Sequence, residues 1–77
     1  MASKYPILKD IEIVRRLKRI NFSFKSQKGS HAKYVKSADG QKRTVIVPMN
    51  GDVPGGTLQS ILEQAGLSLE EFLMNKE

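Results

Sequence analysis

Apolar residues recur at helical spacing in the first third of the chain. Residues 7–20, ILKDIEIVRRLKRI, place apolar side chains at steps of three or four, the period of one helix face. The apolar positions of that face are Ile7, Ile11, Val14 and Leu17. Asp10 is a predicted N-cap, and Asn21 suits the left-handed conformation in which helices often end. The pattern predicts a first helix whose basic residues mostly face solvent.

The hydrophobic pattern then changes to alternation. Residues 22–27, FSFKSQ, alternate between two faces and predict a first strand. Lys28-Gly29-Ser30 predicts a turn into a second strand over residues 31–37. Asp39-Gly40 is the strongest hairpin signal in the chain. It precedes residues 42–48, KRTVIVP, whose β-branched run predicts a well-buried third strand. Short turns between three strands predict an antiparallel meander.

Chain breakers and a second helical pattern fill the rest of the sequence. Residues 48–56, PMNGDVPGG, predict a loop, and residues 57–65 predict a helix that ends at Gly66. Its apolar face is Leu58, Ile61, Leu62 and Ala65. Residues 68–71, SLEE, form a capping box that opens a last short helix through Leu73. The order α-β-β-β-α with a helical tail predicts an α+β two-layer sandwich, with one sheet face left to solvent or a partner.

Charge is distributed unevenly along the chain. Residues 1–43 carry 12 Lys and Arg against three acidic residues, a net +9, whereas residues 44–77 carry one Lys against five acidic residues, a net −4. A chain so polarised is expected to present one strongly positive surface, as proteins with phosphate-rich partners do. An acidic protein partner is the second interpretation of this surface. A solubilising excess of lysine is the third.

Length and composition limit the classes of function. We expect one domain, residues 1–77, with no room for separate catalytic and binding units. The chain has no cysteine, which excludes disulfides and thiolate metal sites. No apolar run approaches the ~20 residues that cross a bilayer, and the N-terminus lacks the apolar segment of a signal peptide. We therefore expect a cytoplasmic protein without a membrane partner.

The stretch QKGSHAKYVK, residues 27–36, holds the single histidine of the chain, His31. No cysteine, second histidine or acidic cluster accompanies it, so a metal site is not expected there. An imidazole ordinarily titrates near ~6.5 and can both accept and donate protons at neutral pH. Cleavage of RNA without a metal needs such a base for the 2′-hydroxyl proton. An exposed histidine in a turn is more often a plain polar residue, so the pattern alone favours that interpretation.

Groups that could hold a phosphate lie near His31 in the sequence. The predicted phosphate-binding residues are Lys28, Gly29, Ser30, Lys33 and Arg43. Cations and a hydroxyl donor stabilise phosphate charge, and a glycine lets backbone N–H groups approach it closely. Alternation along the strand places Lys33 on the face of His31, and Ala32 and Tyr34 on the opposite face. Tyr34 is accordingly a predicted core aromatic.

Three segments together resemble the HicA toxin family of bacterial and archaeal toxin–antitoxin systems. They are QKGSHAKY, TVIVP and PGGTLQSILEQAGLSLEEFL, and the resemblance runs from about Asp10 to Leu73. It implies a fold like that of a double-stranded-RNA-binding domain and an mRNA-cleaving activity. It also implies a partner, the HicB antitoxin, that binds the toxin and covers its active site. The toxin is then expected to be monomeric or to assemble only through the antitoxin.

The resemblance assigns roles to individual residues of this chain. Gly29-Ser30-His31 matches the family motif, so His31 inherits the catalytic role. Asn50 stands where many family members have a histidine. Asn50 is predicted to hydrogen-bond a phosphate, but an amide cannot shuttle protons near pH 7. The expected activity is a metal-independent mRNA endonuclease without a cofactor, in which His31 depends on neighbouring lysines.

Two other functions use the same basic surface. The first is a non-catalytic module that grips the A-form backbone of double-stranded RNA, and Asn50 in place of a histidine favours it. The second is a protein-interaction domain that docks on an acidic partner and has negligible RNA affinity at physiological salt. Both RNA hypotheses predict instead an affinity that falls steeply as salt rises.

Overall fold

The structure is a computed structural model that describes residues 4–74 of the chain. Its main elements follow the predicted order and confirm the α+β class, consistent with a double-stranded-RNA-binding-domain-like fold. One short pair of strands is added to it. The elements in chain order are β1 (Leu8–Lys9), α1 (Asp10–Arg19), β2 (Ser23–Lys28), β3 (His31–Ala38), β4 (Gln41–Pro48), β5 (Asp52–Val53), α2 (Gly55–Ala65) and α3 (Leu69–Met74).

Strands β2, β3 and β4 form the predicted antiparallel meander, in that spatial order. β3 pairs with β4 along all of its eight residues, and a β-bulge between Phe24 and Ser26 interrupts the pairing of β2 with β3. In the turn before β4, Asp39 and Gly40 have φ values of +54° and +77°. Positive φ at both central residues is what a type I′ hairpin turn requires. The hairpin predicted from Asp39-Gly40 is therefore confirmed.

The core lies between one face of the meander and the helices. The sheet contributes alternate residues of β3 and β4 to this core, and the helices contribute one stripe each. These buried residues are Ala32, Tyr34, Val45 and Val47 from the strands, with Ile13, Val14, Leu17, Leu58, Ile61, Leu62, Ala65 and Phe72 from the helices. The prediction that β4 is well buried is wrong for most of the strand, because only Val45 and Val47 of its eight residues are buried. Thr44 is exposed and Ile46 is half-buried, because the helices cover a single face.

The apolar face of α1 is shifted from the predicted one. The side chains of Ile7 and Ile11 are 68% and 61% exposed, so the prediction that they pack inward is wrong. The buried positions are Ile13, Val14 and Leu17, followed by Ile20 just after the helix. Ile11 lies within α1 but off the stripe of Ile13, Val14 and Leu17, whereas Ile7 precedes residues 8–9, which are extended as β1. The helix begins only at Asp10, so helical spacing before that residue does not predict which side chains are buried.

The strand pair β1–β5 joins residues 8–9 to the segment that the sequence predicted as a plain loop. Leu8 pairs with Val53 and Lys9 with Asp52. The Lys9 Nζ lies 2.8 Å from the Asp52 Oδ1. The hydrogen bond to Asp52, helped by the charge of its carboxylate, raises the pKa of Lys9. Residues 48–56 thus contain a strand whose partner lies far earlier in the chain, which no local pattern reveals.

Three of the predicted helix ends are confirmed. Asn21 after α1 and Gly66 after α2 have φ values of +76° and +74°, the left-handed conformation. In the capping box before α3, the Glu71 N–H donates to the Ser68 Oγ at 3.0 Å, and the Ser68 N–H donates to the Glu71 Oε1 at 2.8 Å. The prediction for Asp10 is wrong, because Asp10 is the first residue of α1 and Lys9 holds the N-cap position.

Candidate active site

The strand register assigns every residue of the meander to one of two faces. Directly opposed residues of antiparallel strands point to the same side of a sheet. Since Ala32 and Tyr34 are buried under the helices, the odd-numbered residues of β3 and their partners lie on the opposite side, here named the outer face. The outer-face residues are Ser23, Ser26 and Lys28 of β2, His31, Lys33, Val35 and Ser37 of β3, and Lys42, Thr44, Ile46 and Pro48 of β4.

His31 is exposed and occupies one end of the outer face. It is the first residue of β3 and lies directly opposite Lys28 on one side and Pro48 on the other. Opposed residues of this kind have Cα atoms about 5 Å apart. Lys33 follows two residues later on the same face, as predicted. The structure therefore brings His31 together with two of the three cations expected beside it.

The turn before His31 is built from Gly29 and Ser30. Gly29 has a φ of +59°, a conformation that favours glycine over residues with a side chain. The Gln27 Nε2 donates to the Gly29 carbonyl oxygen at 3.0 Å. The Met49 N–H donates to the Ser30 carbonyl oxygen, which ties the turn to the segment that follows β4. Gly29 and Ser30 are thus positioned at the entrance of β3, beside the imidazole.

Asn50 lies in the segment that is tied to this turn. The segment is anchored on its other side by Asp10, the first residue of α1. The Gly51 N–H donates to the Asp10 Oδ2 at 3.0 Å, and the Asp10 N–H donates to the Gly51 carbonyl oxygen at 2.8 Å. The other carboxylate oxygen of Asp10 accepts from the Ile11 N–H at 2.6 Å. Asn50, which is exposed, is therefore held between two anchored neighbours, next to the turn that carries Ser30.

The outer face carries positive charge without nearby acidic partners. Lys28, Lys33 and Lys42 lie on it, and the strands β2, β3 and β4 contain no Asp or Glu. Among residues 4–74 the salt bridges join Lys9 to Asp52 and Glu12 to both Arg15 and Arg16, all outside the meander. The charges of Lys28 and Lys33 are not neutralised by ion pairs within this part of the chain. Such a surface attracts anions.

The structure does not bring Arg43 to His31. Arg43 pairs with Lys36 and shares the helix side of the sheet with Val45, so it lies on the face opposite to the imidazole. Its guanidinium packs beside Gly66, where a Cβ would lie only 2.5 Å from the Arg43 Cζ. A cation at the carboxyl end of α2 complements the negative end of the helix dipole. The structure thus gives Arg43 a packing position that the sequence-based prediction missed.

Tyr34 lies in the core, as predicted. Its ring is buried and meets the ring of Phe24 edge to face, with 5.7 Å between the ring centroids. Burial raises the pKa of the Tyr34 hydroxyl. Phe24 is 53% exposed, because β2 is an edge strand and its side chain extends beyond the helices. Neither ring lies on the outer face with His31.

The described residues offer no evident metal centre. Among residues 4–74, no group of three or more His, Cys, Asp or Glu side chains is arranged to hold a metal ion. None of the helices described there is long and apolar enough to cross a bilayer. What the site does offer is one exposed imidazole, two lysines, a hydroxyl and an amide, which together suit binding and proton transfer at a phosphate.

Two features of this region escaped sequence reasoning. The anchoring of Gly51 by Asp10 has no local signal, since the two residues are far apart in the chain. Lys42 lies on the outer face at the end remote from His31. A signal for Lys42 was present, because it precedes Val45 by an odd number of residues, which places the two side chains on opposite faces of a strand.

Most of the sequence matches a known protein family. The model of one protein family, described as HicA toxin of bacterial toxin–antitoxin systems, matches residues 12–67. These residues run from the first turn of α1 to the end of α2 and include the outer face entirely. A search of curated proteins found no match.

Proposed function

Because the chain belongs to the HicA toxin family of bacterial toxin–antitoxin systems, we propose that it is a toxin that cleaves mRNA with His31 as its acid–base group. The observation that carries the proposal is the position of His31. The imidazole is exposed at one end of a cationic sheet face, opposite Lys28 and beside the anchored Gly29–Ser30 turn. A phosphodiester can reach such a group without any rearrangement of the core.

The reaction that suits this site is transesterification within the RNA backbone. His31 takes the proton of a ribose 2′-hydroxyl, and the oxygen forms a bond to the adjacent phosphorus. The bond from phosphorus to the 5′ oxygen of the next nucleotide breaks, and this oxygen gains a proton from an acid or from water. The products are a 2′,3′-cyclic phosphate and a 5′-hydroxyl. Each step moves one proton and needs no metal or redox cofactor.

The cations beside His31 are proposed to hold the phosphate while charge develops on its oxygens. Lys28 and Lys33 share the outer face with the imidazole. Ser30 and the backbone of Gly29 supply donors from the turn, and Asn50 supplies an amide from the neighbouring segment. Charge-assisted hydrogen bonds to a phosphate are about twice as strong as neutral ones. Donors held in place before the reaction stabilise its transition state without further reorganisation.

An open site of this kind also suits regulation by a covering partner. The outer face has no lid in the described part of the chain, and its charge is uniformly positive. We propose that the antitoxin, a HicB-type protein, covers His31 with an acidic surface. Opposite charges on the two proteins would make capture fast. This part of the proposal would be wrong if a complex that silences the toxin left His31 freely accessible.

The test is cleavage of RNA by purified native and His31→Ala proteins. An acid–base group typically contributes about 10² to 10⁴ in rate, so the variant is expected to lose most activity while its circular dichroism and antitoxin binding stay native. Ser60→Ala, which removes an exposed hydroxyl on α2 away from the outer face, is the control and is expected to cleave at the native rate. Native rates from His31→Ala would overturn the assignment. Loss of native cleavage in chelator would overturn the metal-free mechanism.

A second function is favoured by one observation, the amide of Asn50 at a position beside the site. With a single histidine in the chain, no second imidazole is present to protonate the leaving oxygen. A module that binds double-stranded RNA without cutting it would use the same lysines. The two functions separate in one experiment, because the binding module predicts equal RNA affinity and no cleavage for both native and His31→Ala proteins.

A further inference from the structure

The end of the outer face remote from His31 carries a cation that the proposed reaction does not use. Lys42 is the second residue of β4 and lies directly opposite Ser37 of β3. Ser37 lies six positions after His31 along one strand. At about 3.3 Å per residue this is roughly 20 Å, too far for Lys42 to touch the phosphate at which His31 acts.

The cations of the outer face form a diagonal across the three strands. Lys28 ends β2, Lys33 lies near the start of β3, and Lys42 lies near the start of β4, at the opposite end of the sheet. No acidic side chain interrupts this diagonal, because the three strands contain none. Within residues 4–74, the salt bridges leave all three lysines out. A row of like charges is unfavourable by itself and becomes favourable when a polyanion lies along it.

The surface between Lys33 and Lys42 is uncharged. It consists of Val35 and Ile46, both half-buried, and of the exposed Thr44. The side chains of Val35 and Ile46 can contact ribose and base edges, while the hydroxyl of Thr44 can donate to a phosphate. No phenylalanine or tyrosine lies on the outer face for bases to stack on, so contacts between Lys33 and Lys42 would come mainly from the backbone of the nucleic acid.

Helices α2 and α3, on the opposite side of the sheet, repel the same ligand. Helices α2 and α3 carry Glu63, Glu70 and Glu71 and contain no lysine or arginine. A polyanion is therefore repelled from the surface of these two helices and attracted to the outer face. Between the outer face and the surface of α2 and α3, the charge distribution favours the outer face, and the diagonal gives the nucleic acid one direction on it.

We propose that the RNA strand runs along the lysine diagonal of the outer face, with Lys42 as a phosphate contact several nucleotides away from the cleaved bond. This inference rests on the proposed function, since it takes RNA as the ligand. It adds a footprint longer than the catalytic site and a contact that reads the backbone rather than the bases. Binding energy from this remote contact holds the strand in place at His31.

The experiment measures binding of RNA oligonucleotides of increasing length in a His31→Ala background, where the RNA stays intact. For the parent protein, affinity should keep rising until the oligonucleotide spans the diagonal. With the added Lys42→Ala change, the rise should stop at a shorter length, and the longest RNA should bind severalfold more weakly. The slope of log affinity against log salt should fall by about 0.7, the value for one single-strand phosphate contact.

Lys18→Ala in the same background is the matched control. Lys18 is an exposed lysine on α1, so this change removes the same charge from another surface. The control is expected to leave the length dependence and the salt slope unchanged. Equal losses in both variants would overturn the inference, because they would report net charge alone. A Lys42→Ala protein that binds all RNA lengths normally and loses antitoxin affinity would also overturn it, in favour of a protein contact.

The outcomes separate this inference from the proposed nuclease function. If the native protein cuts RNA through His31 and Lys42→Ala changes no affinity, the footprint is wrong and the nuclease stands. If the native protein never cuts RNA but binds it in a manner that depends on Lys42, the footprint stands and the nuclease is wrong. If the protein binds no RNA of any length, both proposals fail.

Discussion

The two faces of the three-stranded sheet are made by the same strands and have opposite chemistry. On the helix side, Ala32, Tyr34 and Val45 are buried among apolar neighbours. On the outer face, His31 is exposed, Lys33 lies beside it, and Thr44 lies further along the sheet. None of the helices in the described part of the chain covers these residues. One residue along a strand is enough to move a side chain from the core to the site. A chain of 77 residues can thus build both from a single sheet.

This arrangement places the proposed chemistry where it costs the fold least. A small domain buries a limited share of its surface. It has no room for both a core and a separate cleft for its function. Here the outer face contributes little apolar burial, so its residues are free to be charged. The division predicts that substitutions on the two faces act on different properties, even between adjacent residues.

The strongest test of that division is a pair of neighbouring substitutions, Tyr34→Ala and Lys33→Ala. Loss of a buried aromatic ring costs about 3–5 kcal/mol, a large part of the ~4–12 kcal/mol expected for a domain of this length. Lys33→Ala is expected to change the free energy of unfolding by less than ~0.5 kcal/mol and to weaken RNA binding. Urea unfolding and RNA titrations check both. Comparable destabilisation by the two changes would show that the faces are not distinct.

Local signals in the sequence predicted most of the fold correctly. The left-handed residues Asn21 and Gly66, the Asp39-Gly40 turn and the capping box of Ser68 all depend on interactions within a few residues, which a sequence displays directly. Alternation in β3 likewise separated Lys33 from Tyr34. The predicted placement of His31 on an exposed sheet surface is confirmed, while its catalytic role stays a prediction.

The errors came from interactions between distant parts of the chain. Ile7 has helical spacing with Ile11, but the pairing of β1 with β5 delays the helix until Asp10, so Ile7 is not part of it. Arg43 was grouped with His31 because it is basic and close to the second strand in sequence. Its separation from Val45 by two residues already placed it on the helix side, so strand alternation should have taken precedence over proximity.

The contact between Asp10 and Gly51 couples the helix layer to the proposed site on the sheet. Asp10 belongs to α1, yet its carboxylate and its N–H hold the segment that carries Asn50 beside the His31 turn. Asp10→Ala is expected to cost about 1–2 kcal/mol through lost hydrogen bonds to a charged, partly exposed group. It should also lower RNA cleavage under conditions in which the variant is fully folded, because the segment that carries Asn50 loses one of its anchors.

Asp52→Ala is the matched control for Asp10→Ala. Asp52 is an acidic residue of the same region, and its exposed ion pair with Lys9 is expected to contribute little to stability. Thermal unfolding and cleavage rates of both variants make the comparison. If Asp10→Ala cleaved RNA at the native rate while fully folded, Asp10 would be a purely structural residue and the separation of the two layers would be complete.

The smallest expected effect tests how well the helix side of the sheet excludes water. Burial raises the pKa of Tyr34, so the folded protein holds the phenolic proton more tightly than the unfolded chain, in which tyrosine titrates near ~10. The stability from this group is complete below about pH 10 and is lost as pH rises through the higher value of the folded state. Tyr34→Phe has no proton to lose. The variant is therefore expected to keep more of its neutral-pH stability at about pH 11 than the native protein does. Because the lysines titrate in both proteins, the difference between their unfolding curves isolates this hydroxyl. Identical curves would mean that water reaches the Tyr34 hydroxyl in the folded state, and the contrast between the two faces would then hold for the ring but not for its polar tip.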